Sequence, residues 1–390
     1  MPYDAIIAGA GPAGSACAYR LAAAGASVLL LDRATFPRDK PCGGGLTLRA
    51  LDVVPVPIDA VVEDVVDVAE LRLNYGTSVE RGSGKPLAVM TQRIRLDALL
   101  VAEAVRAGAE LRDGTKVQAV EAGDAGVVVT AGGERFAGRT LVGADGVNGV
   151  VGRALGLGGN QAVGVALEGN VPWTKLDRSR YGGRIVMELA VLPGGYGWVF
   201  PKGDHANVGV GGWEREGPHL RSHLVRVCRE HGIGLEDVEG LRGYRLPLRS
   251  PRSAVARGRA LLVGDAAGLV DPLSGDGMYE AFVSARLAAE SVLDLLGGRA
   301  ATLEDYGARL GRSLSAHLWA SWGVKVALDR FPRTTFALAT TGLVWGAIEK
   351  VVRGELPDVT AARGIARAPL KALAMLGRAA GNPGHAFREA

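Results

Sequence analysis

Apolar residues run almost unbroken from Tyr3 to Ala8 and again from Ser27 to Leu31, each stretch short enough for a buried strand. Between them the small, apolar stretch Ser15 to Ala24 reads as a helix. Strand, helix and strand in that order predict a parallel α/β layer. The signature returns twice: Leu141 to Gly146 and Leu261 to Gly268 are buried strands running into glycine and aspartate, and the second leads to a helix from about Gly277. Arg93-Ile-Arg-Leu-Asp97 precedes another helix, with strands near Thr115 to Val120 and Gly126 to Thr130. A different pattern marks Val65 to Asn74, Gln161 to Val171, Gly183 to Leu192, Tyr196 to Phe200 and Ala206 to Gly212. Those segments alternate or are rich in β-formers, which predicts a second, mostly antiparallel sheet. From Leu303 onward the pattern is helical.

The turn after the first strand carries the first candidate chemistry. In Gly9-Ala-Gly-Pro-Ala13-Gly14, the spacing of Gly9, Gly11 and Gly14 is that of a dinucleotide-binding turn. Gly9 permits the tight turn, Gly11 lets a pyrophosphate approach the backbone, and Gly14 allows close strand–helix packing. The helix N-terminus offers free N–H groups and a positive dipole end to phosphates. Asp32, after the second strand, is placed to accept from a ribose hydroxyl, and Arg33 beside it faces either a phosphate or solvent. The later segments favour a flavin over a nicotinamide. Asp265 follows a buried strand and can hold a ribityl hydroxyl, while Gly277 and Met278 at a helix start can offer backbone N–H groups to the ring. The expected architecture is α/β: a Rossmann-like FAD-binding domain of glutathione reductase type with an inserted, mostly antiparallel substrate sheet and a helical C-terminal region. The FAD-binding domain is discontinuous (residues 1–52, 90–155 and 255–300), the substrate domain takes 53–89 and 156–254, and the helical region 301–390.

Three further segments add to the site: Pro41-Cys-Gly-Gly-Gly-Leu46, Tyr196-Gly-Trp-Val-Phe-Pro201 and Leu273-Ser-Gly-Asp276. Tyr196, Trp198 and Phe200 alternate, so in a strand they share one face. They form either a wall for an apolar substrate or a stripe of core. Cys42 precedes Gly43, Gly44 and Gly45, where backbone can come within contact of a flavin ring. Its thiol is a proton donor, a gate or a small buried filler. Asp276 is an acid or a turn residue ahead of a helix.

With these segments and the dinucleotide turn, the chain resembles the geranylgeranyl reductase family, a branch of the FAD-dependent group with the p-hydroxybenzoate hydroxylase-like fold. The resemblance covers roughly Tyr3 to Leu295. It implies FAD-dependent reduction of isolated double bonds in polyprenyl chains of lipids, diphosphates, quinones or chlorophyll precursors. It places Pro41 to Gly45 against the flavin, makes Arg93 a flavin contact, and sets Val117 near the adenine end. It makes Tyr196, Trp198 and Phe200 the substrate wall. Saturating such an alkene needs a hydride and a proton in a dry site, and Cys42, Tyr196 and Asp276 are the candidate donors. Where the wider group carries Ser and Arg after Ala-Asp-Gly, this chain has Gly149 and Gly152, with Arg153 one step late. That leaves the electron donor open between NAD(P)H and ferredoxin. Two rival readings share the residues: a flavin monooxygenase on an aromatic or polyketide substrate, and a flavin- and prenyl-binding protein without turnover.

At 390 residues, 48% hydrophobic and 22% charged, the chain is long enough for two layered domains. Cys17, Cys42 and Cys228 are odd in number and lack metal-ligand spacing, so no metal site or disulfide framework is expected. The first strand begins at residue 3, leaving no room for a signal peptide, and the cytoplasm is expected. A net charge of +4 without a dense basic tract gives no sign of nucleic-acid binding. His205, His219, His223 and His231 show no convergent pattern and are expected at the surface. Phe336 to Ile348 is apolar and uncharged but too short to span a bilayer, and reads as a buried helix or one wall of a lipid cavity. Arg363 to Arg378 reads as an interfacial helix touching the inner face of a membrane, or as one packed on the protein.

Overall fold

The computed structural model describes residues 2–82, 84–159, 162–249 and 253–358, with single positions between 361 and 379. Arg363 to Arg378 therefore lies for the most part outside the described residues.

Tyr3–Ala8 forms the centre of an eight-stranded sheet, parallel to Val28–Leu31 on one side and Glu134–Gly143 on the other, with Ile6 opposite both Leu29 and Leu141. Ala260–Leu262 and Glu110–Arg112 extend it, and Val117–Gly123 and Gly126–Ala131 hang off Glu134–Gly143 as an antiparallel meander. Both faces are covered, so the central strands are apolar throughout: Ile6, Ile7, Leu29, Leu30 and Leu141 are fully buried. Helix Pro12–Ala23 packs against Arg93–Arg106 and Met278–Leu296. The helix expected after Asp97 begins at Arg93 itself. This is the expected α/β class with a Rossmann-like FAD-binding layer.

A seven-stranded sheet runs in the order Glu239–Leu248, Ala162–Pro172, His205–Trp213, Tyr196–Pro201, Arg184–Leu189, Val68–Leu73 and Thr77–Arg81. It is antiparallel except where Arg184–Leu189 runs parallel to Val68–Leu73. Pleating sends Val186 and Val199 to one face, where they join Val208, Val210, Leu224 and Val227 beneath helix Leu220–Glu230. Their neighbours Met187 and Trp198, also cross-strand partners, point to the other face. The segment Val65 to Asn74 splits: Asp64–Val66 joins Gly45–Thr47 and Ala88–Met90 in a separate three-stranded sheet, and Val68–Leu73 enters the large one.

Helices Asp305–Arg330, Pro332–Ala339 and Gly342–Val352 complete the described chain. The single helix expected over Phe336 to Ile348 is broken in two. Thr340 Oγ1 donates back to the Phe336 carbonyl, and Thr341 Oγ1 accepts from Val344 N–H as the cap of the next helix, so the axis turns by 77°. Among the described residues no single helix is long and apolar enough to cross a membrane.

His205 and His231 are not surface residues. His205 is buried with Nδ1 2.7 Å from Asp204, and His231 bridges Glu188 and Tyr181 at 3.1 Å each. Strand polar groups that turn inward require such partners. His219 is exposed and His223 half-buried.

Helix Arg93–Arg106 is fastened at its start by a buried ion pair. Arg93 Nε and NH2 lie 2.7 and 2.8 Å from the two Asp97 oxygens, and Arg38 reaches the same carboxylate at 3.0 Å. Asp97→Ala leaves the Arg93 guanidinium buried without its anion. It is expected to cost about 3–5 kcal/mol of unfolding free energy, measurable by chemical denaturation; a change within error would show that the pair does not anchor the helix.

Candidate active site and flavin cavity

The turn between Ala8 and Pro12 has the shape its glycines predict. Gly9 adopts φ +105°, and a Cβ there would stand 2.2 Å from the Ala144 carbonyl oxygen. One on Gly14 would stand 1.9 Å from the Gly9 oxygen, so the helix sits directly on the turn. Asp32 holds this loop as well as facing the expected ribose. Its Oδ2 accepts from Ala10 N–H at 2.7 Å and its Oδ1 from Ala34 N–H at 2.8 Å, leaving lone pairs for a further donor. Arg33 is exposed, and Val117 is buried at the start of its strand; neither lines the cavity described next.

That cavity, of about 340 Å³, runs from Gly11 and Ala13 past Pro41 to Gly45 and Arg93, to Asp265 and to Asp276 through Met278. Tyr196, Trp198 and Phe200 close it from the second sheet, so most of the expected site residues meet in one place. Gly9, Gly14 and Asp32 stand behind its wall. Asp265 Oδ2 accepts from Tyr244 OH at 2.8 Å and from Lys40 Nζ at 3.3 Å. Burial alone would raise the Asp265 carboxyl, but Lys40 and Tyr244 hold it below the ordinary range, so it is an anion. The N–H groups of Gly277 and Met278, expected to face a ring, donate instead to Asp276 Oδ1 at 2.8 and 3.0 Å. A helix start needs acceptors for its first donors, and the adjacent carboxylate is nearest.

The Cys42 loop is clamped from the second sheet. Cys42 N–H donates to Glu168 Oε1 at 2.5 Å, and Lys202 Nζ donates to the Cys42 carbonyl at 2.9 Å. Asn207 Nδ2 lies 3.4 Å from the same Glu168 oxygen, while its Oδ1 accepts from Trp198 Nε1 at 2.7 Å. A Cβ on Gly43 would meet the Phe200 ring at 2.8 Å, so loop and aromatic strand are in direct contact. The rings follow one another with centroids 5.7 and 6.2 Å apart, on one face as expected. The Tyr196 hydroxyl donates to the Ser274 carbonyl, and burial raises the phenol's pKa above its usual value. Asp145 serves its own turn, accepting from Val150 and Val151 N–H at 2.5 and 3.0 Å.

A second cavity, of about 790 Å³, adjoins the first and shares Tyr196, Asp276, Met187 and Lys325 with it. Its walls are apolar: Ala69, Leu71 and Ile185 of the sheet, and Phe336, Val344 and Trp345 of the C-terminal helices. Trp198 and Phe200 line only the first cavity, and Tyr196 lines both. At the junction His317 Nε2 stands 3.3 Å from Asp271 Oδ2 and from Glu280 Oε1, and Arg49 NH1 is 3.1 Å from His317 Nδ1. Burial would lower the His317 pKa, but the two carboxylates push it up to about 9. Asp276 goes the other way: burial, then Glu280, then Asp271 raise its carboxyl to about 7.

Glu168, Asn207, Lys202, Lys40, Tyr244, Arg49, Glu280 and His317 were not found from sequence. Each is a single polar residue whose partner lies more than twenty residues away in the chain.

The architecture and the glycine-lined cavity define an FAD-dependent oxidoreductase, and the residues fit that cofactor: a dinucleotide turn, a carboxylate behind it, and an anionic Asp265 along the path. Residues 2–310 match the FAD binding domain family. The chain is 32% identical over 392 residues to a menaquinone reductase of Mycolicibacterium smegmatis, covering 93% of this chain and 94% of the relative. It is 32% identical over 320 residues to geranylgeranyl diphosphate reductase of Rhodobacter capsulatus, covering 78% of each. A crystal structure of a geranylgeranyl bacteriochlorophyll reductase-like protein from Thermoplasma acidophilum superimposes with a TM-score of 0.78 at 23% identity, covering 100% of this chain and 98% of the other. The chain belongs to the geranylgeranyl reductase family of FAD-dependent oxidoreductases.

Glu168→Ala removes the acceptor of Cys42 N–H, whereas Glu168→Gln keeps an oxygen there. The alanine variant is expected to slow substrate-dependent flavin reoxidation at least about tenfold, the loss of one buried hydrogen bond to a charged group being about 1.5–3 kcal/mol, with the glutamine variant close to wild type. Equal rates in all three would release Glu168 from any part in holding the loop.

Proposed function

We propose that this chain saturates isolated double bonds in a polyprenyl chain carried by a lipid, diphosphate, quinone or chlorophyll precursor. The observation that carries the reading is the junction of the two cavities: a glycine-lined flavin cavity adjoins a larger apolar one, with Tyr196 and Asp276 lining both. An unfunctionalised hydrocarbon chain has no hydrogen bonds to offer, so a long apolar cavity is its natural receptor. When bound, FAD supplies the hydride equivalent for the alkene.

The chain's residues supply the rest. The aromatic strand Tyr196–Pro201 and Met187 align the alkene and exclude water. The proton is assigned to Asp276. Of the three candidate donors, the Tyr196 hydroxyl is committed to Ser274, and the Cys42 loop is turned against Glu168 and Lys202. Asp276 lines both cavities and holds its proton up to about pH 7. His317 pairs with Asp271 and Glu280 beside it. Cys42 then positions the loop.

The test is anaerobic. Protein reduced with dithionite is mixed with geranylgeranyl diphosphate; flavin reoxidation with a product heavier by two hydrogens per bond supports the reading. No reoxidation would favour a binding protein, and an oxygenated product on admitting air would favour a monooxygenase.

The Asp276 assignment fixes the sign of the pH dependence. The acid form is full below pH about 7 and is lost above it, so the rate of the substrate step is expected to fall about tenfold per pH unit at higher pH. Asp276→Asn should lower the plateau rate by about 10²–10⁴-fold and flatten the profile. A variant keeping the wild-type slope would move the proton to another group.

A further inference from the structure

Helix Pro332–Ala339 separates the large apolar cavity from solvent. Its inner face, Thr335, Phe336 and Ala339, lines the cavity. Its outer face carries Phe331, just before the helix and 61% exposed, Thr334, and Leu338, 51% exposed. Those three recur at i, i+3 and i+7, so they share one side of the helix. Leu338 belongs to both faces, lining the cavity while half open to solvent, which makes this helix the rim of a mouth. Across the 77° bend, Leu343 is 53% exposed at the start of the next helix. The other large exposed apolar side chains of the sheets and earlier helices, Val65, Ile94, Val105 and Val225, are scattered along the chain. Here three fall within thirteen residues, beside an apolar cavity.

Basic side chains outnumber acidic ones beside this rim, where the exposed acids are Asp329 and Glu355, the latter 3.7 Å from Arg353. Arg330 and Arg333 are exposed on either side of Phe331, and Lys350 is exposed at the far end of the second helix. The two helices do not cross a bilayer, because Val344, Ala347, Glu349 and Val351 of the second are buried within the protein.

We propose that the bent pair Pro332–Ala339 and Gly342–Val352 docks on an anionic lipid bilayer, seating Phe331, Leu338 and Leu343 among the acyl chains so that a membrane-borne substrate enters the apolar cavity at Leu338. The proposal rests on the polyprenyl reading for its substrate but not for its contact. An apolar rim flanked by Arg330, Arg333 and Lys350 matches the bilayer's own layering of acyl chains beneath anionic headgroups. A water-filled entrance would oblige a long hydrocarbon chain to leave the membrane before binding, and a rim set in the bilayer removes that step.

The test uses the full-length holoprotein without substrate. Vesicles of phosphatidylcholine with phosphatidylglycerol are compared with vesicles of phosphatidylcholine alone by flotation. Wild type is expected to float with the anionic vesicles, and Phe331→Glu/Leu343→Glu to partition at least about tenfold less. The variant should keep its flavin spectrum and its reoxidation rate with detergent-dispersed substrate, because neither side chain lines the cavities. Unchanged flotation of the variant, wild type remaining with the unbound fraction, or a wild-type dimer that the double variant dissociates would each overturn the proposal. Because flotation needs no turnover, a failed reductase assay leaves its outcome intact.

Discussion

One peptide group ties the two sheets together. The N–H of Cys42 ends on Glu168 and its carbonyl on Lys202, so an anion and a cation from the large sheet grip opposite sides of a loop that begins in the FAD-binding layer. Both ions are buried, at 8% and 5% exposure. Either alone would cost several kcal/mol to remove from water. Here each has a strong hydrogen bond to the peptide and lies in the other's field; burial still raises the Glu168 carboxyl above its ordinary range, and Lys202 and the Cys42 N–H offset part of that rise. The loop, the aromatic strand and the flavin cavity are thereby fixed as a unit: Asn207 passes the connection from Glu168 to Trp198, and Phe200 rests on Gly43.

The junction of the cavities shows a second constraint, the placing of charge beside hydrocarbon. His317 faces both Asp271 and Glu280 at 3.3 Å, and Arg49, 3.1 Å from His317 Nδ1, stacks 3.7 Å above the Tyr279 ring. A paired carboxylate can stay ionised at the edge of an apolar chamber, where a lone ion could not. Asp276 shares that neighbourhood, but its hydrogen bonds come from backbone N–H groups and the carboxylates nearby repel its charge. Burial is the first cause that raises its carboxyl, and repulsion by Glu280 and then Asp271 adds to it.

What could be read from sequence follows the range of each physical signal. The dinucleotide turn is local: Gly9 and Gly14 meet atoms a few residues away or in the adjoining strand, so spacing alone conveys it. The stripe of Tyr196, Trp198 and Phe200 is legible because strand periodicity is a two-residue property. Strand Glu239–Leu248 was hidden, since Gly240, Gly243 and Pro247 interrupt its β-forming residues and its exposed positions are charged. The break at Thr340 and Thr341 was hidden too, because threonine is tolerated inside helices and only its back-bonding and capping disclose the bend. Glu168 meets Cys42 across 126 residues, and Lys40 meets Asp265 across 225. No window of periodicity reaches that far, so the clamp and the paired Asp265 appear only once the sheets are folded together. His231 misled for the same reason, as its partner Glu188 is 43 residues away.

The flavin half of the molecule is shared ground for many chemistries, and its fold by itself assigns none of them. The match to the FAD binding domain family stops at residue 310, yet much of the apolar chamber is built beyond it, by Val324, Leu328, Phe336, Val344 and Trp345. The sheet contributes one apolar face, and without the helices after residue 310 that face would be exposed. A dry chamber is what a hydride and proton addition to an unactivated double bond demands. On the proposed reading, selection of a hydrocarbon over a smaller polar substrate falls to the part of the chain that carries no cofactor motif, where a bend at two threonines sets the wall and Leu338 sets the rim.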